Sequence, residues 1–93
     1  MHAYEIVNHG WSNSQYFQGC GTAYTEFDHV ATGCGTDAKQ AYKDAVENIY
    51  FSEGSSADRL RLPKRPRGIR AHDRVPAQSD EDCFWYVSIR YLA

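Results

Sequence analysis

The stretch from Ala38 to Tyr50 restricts the architecture of this chain more than any other. Ala38, Ala41, Tyr42, Ala45, Val46, Ile49 and Tyr50 recur at i, i+3, i+4 and i+7, while Lys39, Gln40, Lys43, Asp44, Glu47 and Asn48 fill the positions between them. That spacing winds the apolar side chains into one stripe of an α-helix and leaves the polar ones on the other face. Asp37, with Gln40 three residues on, forms a capping box at its start. A chain of 93 residues has room for one modest core and no second domain. A single helical stripe must therefore cover one face of whatever else the chain builds.

What else it builds is sheet. "AYEIVNH" alternates, with Tyr4 and Ile6 on one side and Glu5, Val7 and His9 on the other, and "GWSNS" follows with turn residues. "QYFQGCGTAYTEF" and "HVATGCG" carry β-branched and aromatic residues on two arms that reverse near Phe27 and Asp28. The closing "CFWYVSIRYLA" puts Cys83, Trp85, Val87, Ile89 and Tyr91 on one face and Ser88 and Arg90 on the other, the pattern of a half-buried strand. The fold class expected is α+β: a small antiparallel sheet in the order β-β-β-α-loop-β, with one amphipathic helix packed on one face.

The tetrapeptide GCGT occurs at 19–22 and again at 33–36. A turn near Phe27 or Asp28 brings Cys20 and Cys34 within about one residue of being cross-strand partners. They are read as two small residues where strands meet, with a redox pair as the alternative. Three cysteines, Cys20, Cys34 and Cys83, are an odd number without a dense framework, which suits a reducing compartment. The N-terminus lacks the basic-then-apolar layout of a signal peptide and no run is apolar enough to span a bilayer, so a cytoplasmic location without a membrane partner is expected.

Residues 52–82 hold all three prolines and show no periodicity, which predicts a long loop. Within it lies the sharpest asymmetry of the chain. Arg59, Arg61, Lys64, Arg65, Arg67, Arg70 and Arg74 are opposed between 59 and 74 by Asp73 alone, giving +6; with −2 for the whole chain, the remainder carries −8. A basic arm on an acidic body sets two opposite fields on one small surface. Arginine dominates the arm, and its rigid fork suits bidentate contacts to phosphate or carboxylate. These seven cations are the expected partner-binding residues.

Chemistry-bearing motifs are otherwise weak. "ATGCGTDAKQAYKDA" has a Gly-x-Gly step ahead of a helix, as phosphate-binding loops do. It lacks a third glycine and a Lys-Ser/Thr pair, and Asp37 would repel a phosphate, so turn and cap is the simpler reading. His2, His9, His29 and His72 do not combine with the cysteines at zinc-ligand spacing, and no serine sits in a nucleophile elbow. No cofactor, metal or enzymatic activity is expected.

Residues 26–49, "EFDHVATGCGTDAKQAYKDAVENI", resemble the C-terminal half of a double-stranded-RNA-binding domain, with a strand, a Gly-x-Gly turn and an Ala-faced helix. The resemblance implies phosphate-gripping lysines at the helix start, of which Lys39 matches while Ala38 and Tyr42 do not. The same segment is similar to the N-terminal part of HicB-type antitoxins. The chain as a whole resembles the short accessory proteins of phages and other mobile elements, among them inhibitors of the anti-CRISPR type. That resemblance implies a non-enzymatic inhibitor acting in the host cytoplasm on a host protein or ribonucleoprotein complex. A nucleic-acid binder using the arm, with Trp11, Tyr16 or Phe17 stacking on bases, and a HicB-like antitoxin are the alternatives.

Overall fold

The strand that closes the chain lies inside the sheet rather than at its edge. The computed structural model describes residues 4–13, 20–24, 28–64 and 83–92. In it β1 (Tyr4–Asn13), β2 (Gly21–Tyr24), β3 (His29–Gly35) and β4 (Cys83–Tyr91) form one antiparallel sheet in the order β1-β4-β3-β2. Between β3 and β4 come α1 (Ala38–Glu53) and a 3₁₀ helix, Gly54–Leu60. The architecture is α+β, one helix on one face of a four-stranded sheet.

The registers show which residues share the covered face. Ala31 lies opposite Ile89, Gly33 opposite Val87 and His29 opposite Tyr91, and cross-strand partners point the same way. Ala31, Val87, Ile89 and Tyr91 are buried against Ala38, Ala41, Tyr42, Ala45 and Ile49 of α1, as the two periodicities predict. Asp37 caps the helix in an extended conformation (φ −147°), accepting from Gln40 N at 2.8 Å. Gly54 ends it at φ 62°, donating its N–H to Tyr50 O.

Several expectations are corrected. Tyr50, at the end of the apolar stripe, is 40% exposed and Val46 only half-buried, because the sheet ends short of that flank of α1. Gly10 to Asn13 of "GWSNS" are strand, not turn, since β1 runs on to Asn13 opposite Cys83, and Ser14 lies outside the described residues. A bulge at Val7 separates the pairs Ile6–Ile89 and Asn8–Ser88, so His9 falls opposite Val87 on the helix side instead of beside Glu5. The expected loop 52–82 begins as structure, since α1 continues to Glu53 and the 3₁₀ helix to Leu60, where Ala57 and Leu60 add to the core.

The two glycines of "GCG" belong to β3, not to a turn. A Cβ on Gly33 would sit 2.7 Å from Ala45 Cα and closer still to Ala45 N and Ala41 O, and one on Gly35 would meet Gln40 Cβ at 2.6 Å. Together with the alanines opposite, they let the backbones of helix and strand approach beyond what side chains permit. The reversal into the helix falls at Thr36 and Asp37.

Cys20 and Cys34 form a disulfide, with Cα atoms 6.2 Å apart, tying the start of β2 to β3. The hairpin register explains why they meet: Gly21 pairs with Thr32, which leaves Cys20 one residue from alignment with Cys34. The reading of these residues as unlinked small side chains is thus overturned. Such bridges belong mainly to oxidising compartments, so the cysteine count gives no argument for a reducing one.

Candidate binding surface

The polar residues of α1 do two different jobs, one on each flank. On one flank, Asp44, Asn48 and Ser52 recur every four residues and face the edge of the sheet. β2 pairs with β3 from Gly21, opposite Thr32, to Tyr24, opposite His29, and side chains of the helix bond to both strands. Asp44 accepts from Cys34 N at 2.9 Å, Asn48 donates to Thr32 O at 2.9 Å and Ser52 donates to Thr22 Oγ1 at 3.1 Å. Asp44 and Asn48, expected on a solvated face, are half-buried and bond to the backbone of β3. Glu53 extends the row, its Oε1 lying 3.0 Å from His29 Nδ1 and 3.4 Å from the Tyr91 hydroxyl. An open cleft of about 350 Å³ runs along this flank, lined by Cys34, Gly35, Thr36, Gln40, Lys43, Asp44 and Glu47.

On the other flank, α1 meets the root of the basic arm. Leu60 is buried and Leu62 and Pro63 half-buried, and the Tyr42 hydroxyl donates to Pro63 O at 2.6 Å. The alternating cations Arg59, Arg61 and Lys64 are exposed. Arg61 ends the 3₁₀ helix at φ 50°, ψ 47°, its N–H reaching Asp58 O at 3.2 Å. This left-handed conformation favours glycine and disfavours residues with a Cβ.

Among the described residues, Arg90 makes ion pairs with Glu5 (2.9 Å) and Asp28 (3.5 Å), and His29 Nδ1 meets the Glu53 carboxylate. Arg59, Arg61 and Lys64 enter none of them. Arg65, Arg67, Arg70 and Arg74 lie outside the described residues.

Between α1 and the arm root opens a groove of about 440 Å³, a volume typical of ligand pockets. Val46, Tyr50, Leu62 and Pro63 give it apolar walls, and Lys39, Lys43 and Lys64 line it as well. These are all the lysines of the chain. Tyr50 donates to Asp58 Oδ1 at 2.7 Å, and this bond, more than burial or the Asp58 charge, raises its pKa above the ordinary tyrosine value. The hydroxyl therefore stays a neutral donor. Sequence reasoning took Lys39 and Lys43 as a solvated helix face and Lys64 as part of the arm. The signal available to it was Leu62-Pro63, an apolar step inside a cationic run, which implies that the arm returns to a surface at that point.

Among the described residues no group of three or more His, Cys, Asp or Glu is placed to hold a metal ion, and no helix is long and apolar enough to cross a membrane. Compared with protein families, with curated proteins and with solved structures, the chain matches none.

Proposed function

We propose that this is a non-enzymatic binding protein whose cationic arm, from Arg59 to Arg74, engages an acidic surface on a larger partner. The observation that carries this reading is the arm's root. Leu60, Leu62 and Pro63 fasten it to α1 while Arg59, Arg61 and Lys64 stand in solvent, outside every ion pair among the described residues, with Arg61 in a conformation that glycine would hold more cheaply. Cations held out at a fixed position lose less freedom on association than cations on a random tail. Their field also speeds encounter with an acidic partner. Within this class we place the chain as a mobile-element inhibitor seated on a host defence complex in the cytoplasm; a short acidic body with one cationic arm supports that assignment.

The test is capture from a bacterial lysate, with and without nuclease, using the parent and the triple reversal Arg65→Glu, Arg67→Glu, Arg70→Glu. The expected result is a nuclease-resistant protein partner kept by the parent and lost by the reversal. A partner lost on nuclease treatment moves the assignment to nucleic acid, and equal capture by both proteins makes the arm inert.

A further inference from the structure

The lysine-lined groove beside α1 is polar along its length. Lys39 and Lys43 stand one turn apart toward the start of the helix, and Val46 and Tyr50 one turn apart toward its end. Leu62, Pro63 and Lys64 of the arm root line the groove opposite the helix. Asp58, bonded to the Tyr50 hydroxyl, adds a carboxylate next to the apolar part.

Residues 65–74 are a poor occupant, because Arg65, Arg67, Arg70 and Arg74 have the same sign as the three lysines. A nucleic-acid strand fits badly for two reasons. The walls are mostly aliphatic, and the one ring that lines them in a half-exposed position, Tyr50, carries the Asp58 carboxylate at its edge, where a phosphate would be repelled. Lysine ammonium groups, as compact point charges, accept flexible carboxylates without demanding a fixed fork geometry. We infer that the groove binds a short acidic peptide segment of a partner protein, in which two or three Asp or Glu residues meet Lys39, Lys43 and Lys64 and the apolar side chains that follow them cover Val46, Tyr50 and Leu62.

This inference rests on the reading of the chain as a binding protein for an acidic partner and names the partner's chemistry. It places a second contact beside the arm, so that arm and groove act together on one acidic surface and their linkage raises the combined affinity.

The experiment titrates the full chain with the acetylated, amidated pentapeptide EEELL, following backbone amide resonances by NMR, with EEEGG, KKKLL and hexathymidylate as comparison ligands. EEELL should shift the amides of Lys39, Lys43, Val46, Tyr50, Leu62 and Lys64 in a saturable way. EEEGG should bind about tenfold more weakly, the loss expected when apolar contacts worth about 1.4 kcal/mol are removed, and KKKLL should not bind. Lys43→Glu and Lys64→Glu, both on exposed side chains, should keep the fold and each weaken EEELL about tenfold. The arm reversal should leave the shifts at Val46, Tyr50 and Leu62 in place, so loss of groove binding and loss of arm-dependent capture are read separately. Absence of saturation with EEELL, equal affinity for EEEGG, stronger binding of hexathymidylate, or shifts confined to other surfaces, including those of self-association, would each overturn the proposal.

Discussion

Two single positions carry opposite messages about backbone and side chain. At Gly33 a methyl group would run into the main chain of Ala41 and Ala45, which cannot yield as a flexible side chain would. Gly33→Ala is expected to cost about 3 kcal/mol or more, at the upper end for overpacking, seen as a large drop in urea midpoint. Gly10, where a methyl group would meet only Tyr86 side-chain atoms at 3.6 Å and beyond, shows that such intolerance does not extend to every glycine of the sheet. At Arg61 the order reverses. The left-handed conformation costs an arginine roughly 1 kcal/mol relative to glycine, so Arg61→Gly should leave the unfolding midpoint unchanged or raise it. The same substitution removes an exposed cation, and affinity for the acidic partner should fall. If Arg61→Gly lowered stability and left binding intact, the side chain would have a structural role that its exposure does not suggest. Sequence alone distinguishes neither position, because both facts depend on what a neighbouring element brings close or on a backbone angle.

At the scale of elements, what local pattern encodes was legible and what pairing encodes was not. The helix from Ala38, its Asp37 cap and the face of β4 bearing Val87, Ile89 and Tyr91 follow from periods of 3.6 and 2 within contiguous segments. The insertion of β4 between β1 and β3 does not, since strand order is fixed by contacts between distant residues. The bulge at Val7 is likewise a mismatch between two strands, and reading one of them in isolation put His9 on the wrong face. Asp44 and Asn48 were expected on the solvated helix face and Ser52 in the loop, yet all three bond to β3 or β2 across contacts distant in sequence. Asp44→Ala should therefore cost about 1–3 kcal/mol, the penalty for stranding a partly buried amide, whereas Lys43→Ala one position earlier should cost less than about 0.5 kcal/mol. Urea denaturation of the two variants checks the pair. Similar midpoints would mean that the Cys34 amide finds another acceptor, and hydrogen exchange at that amide would then stay slow in Asp44→Ala.

α1 has a cleft along each flank, and Gln40 and Lys43 line both. The groove and the arm root lie along the flank of Tyr42, Val46 and Tyr50, and the disulfide adjoins the flank of Asp44 and Glu47. The basic arm was legible as a charge asymmetry, but the gathering of Lys39, Lys43 and Lys64 was not, because the last is far from the others in sequence and returns only through the Leu62-Pro63 anchor. The disulfide was legible as a proximity and not as a bond, since oxidation state is no property of local sequence. It bears directly on the proposed action inside a host cell, where thiols are kept reduced. Cys20 and Cys34 are 14 residues apart, and closing a loop of this size restricts the unfolded chain by about 3 kcal/mol. The core of Ala31, Tyr42, Ile49, Val87, Ile89 and Tyr91 is built without either cysteine, and the strand that the bridge secures, β2, has four residues at the edge of the sheet. Reduction should thus lower the urea midpoint by an amount matching about 2–3 kcal/mol and speed hydrogen exchange at Thr22 and Ala23, while the amides of α1 and β4 stay protected. Affinity for the acidic partner should be the same in the oxidised protein, the reduced protein and Cys20→Ser, because α1 and the arm root are held by the core and by the Tyr42–Pro63 bond and not by the bridge. A protein that unfolds outright on reduction would be unfit for a reducing cytoplasm and would place the binding function in an oxidising environment instead.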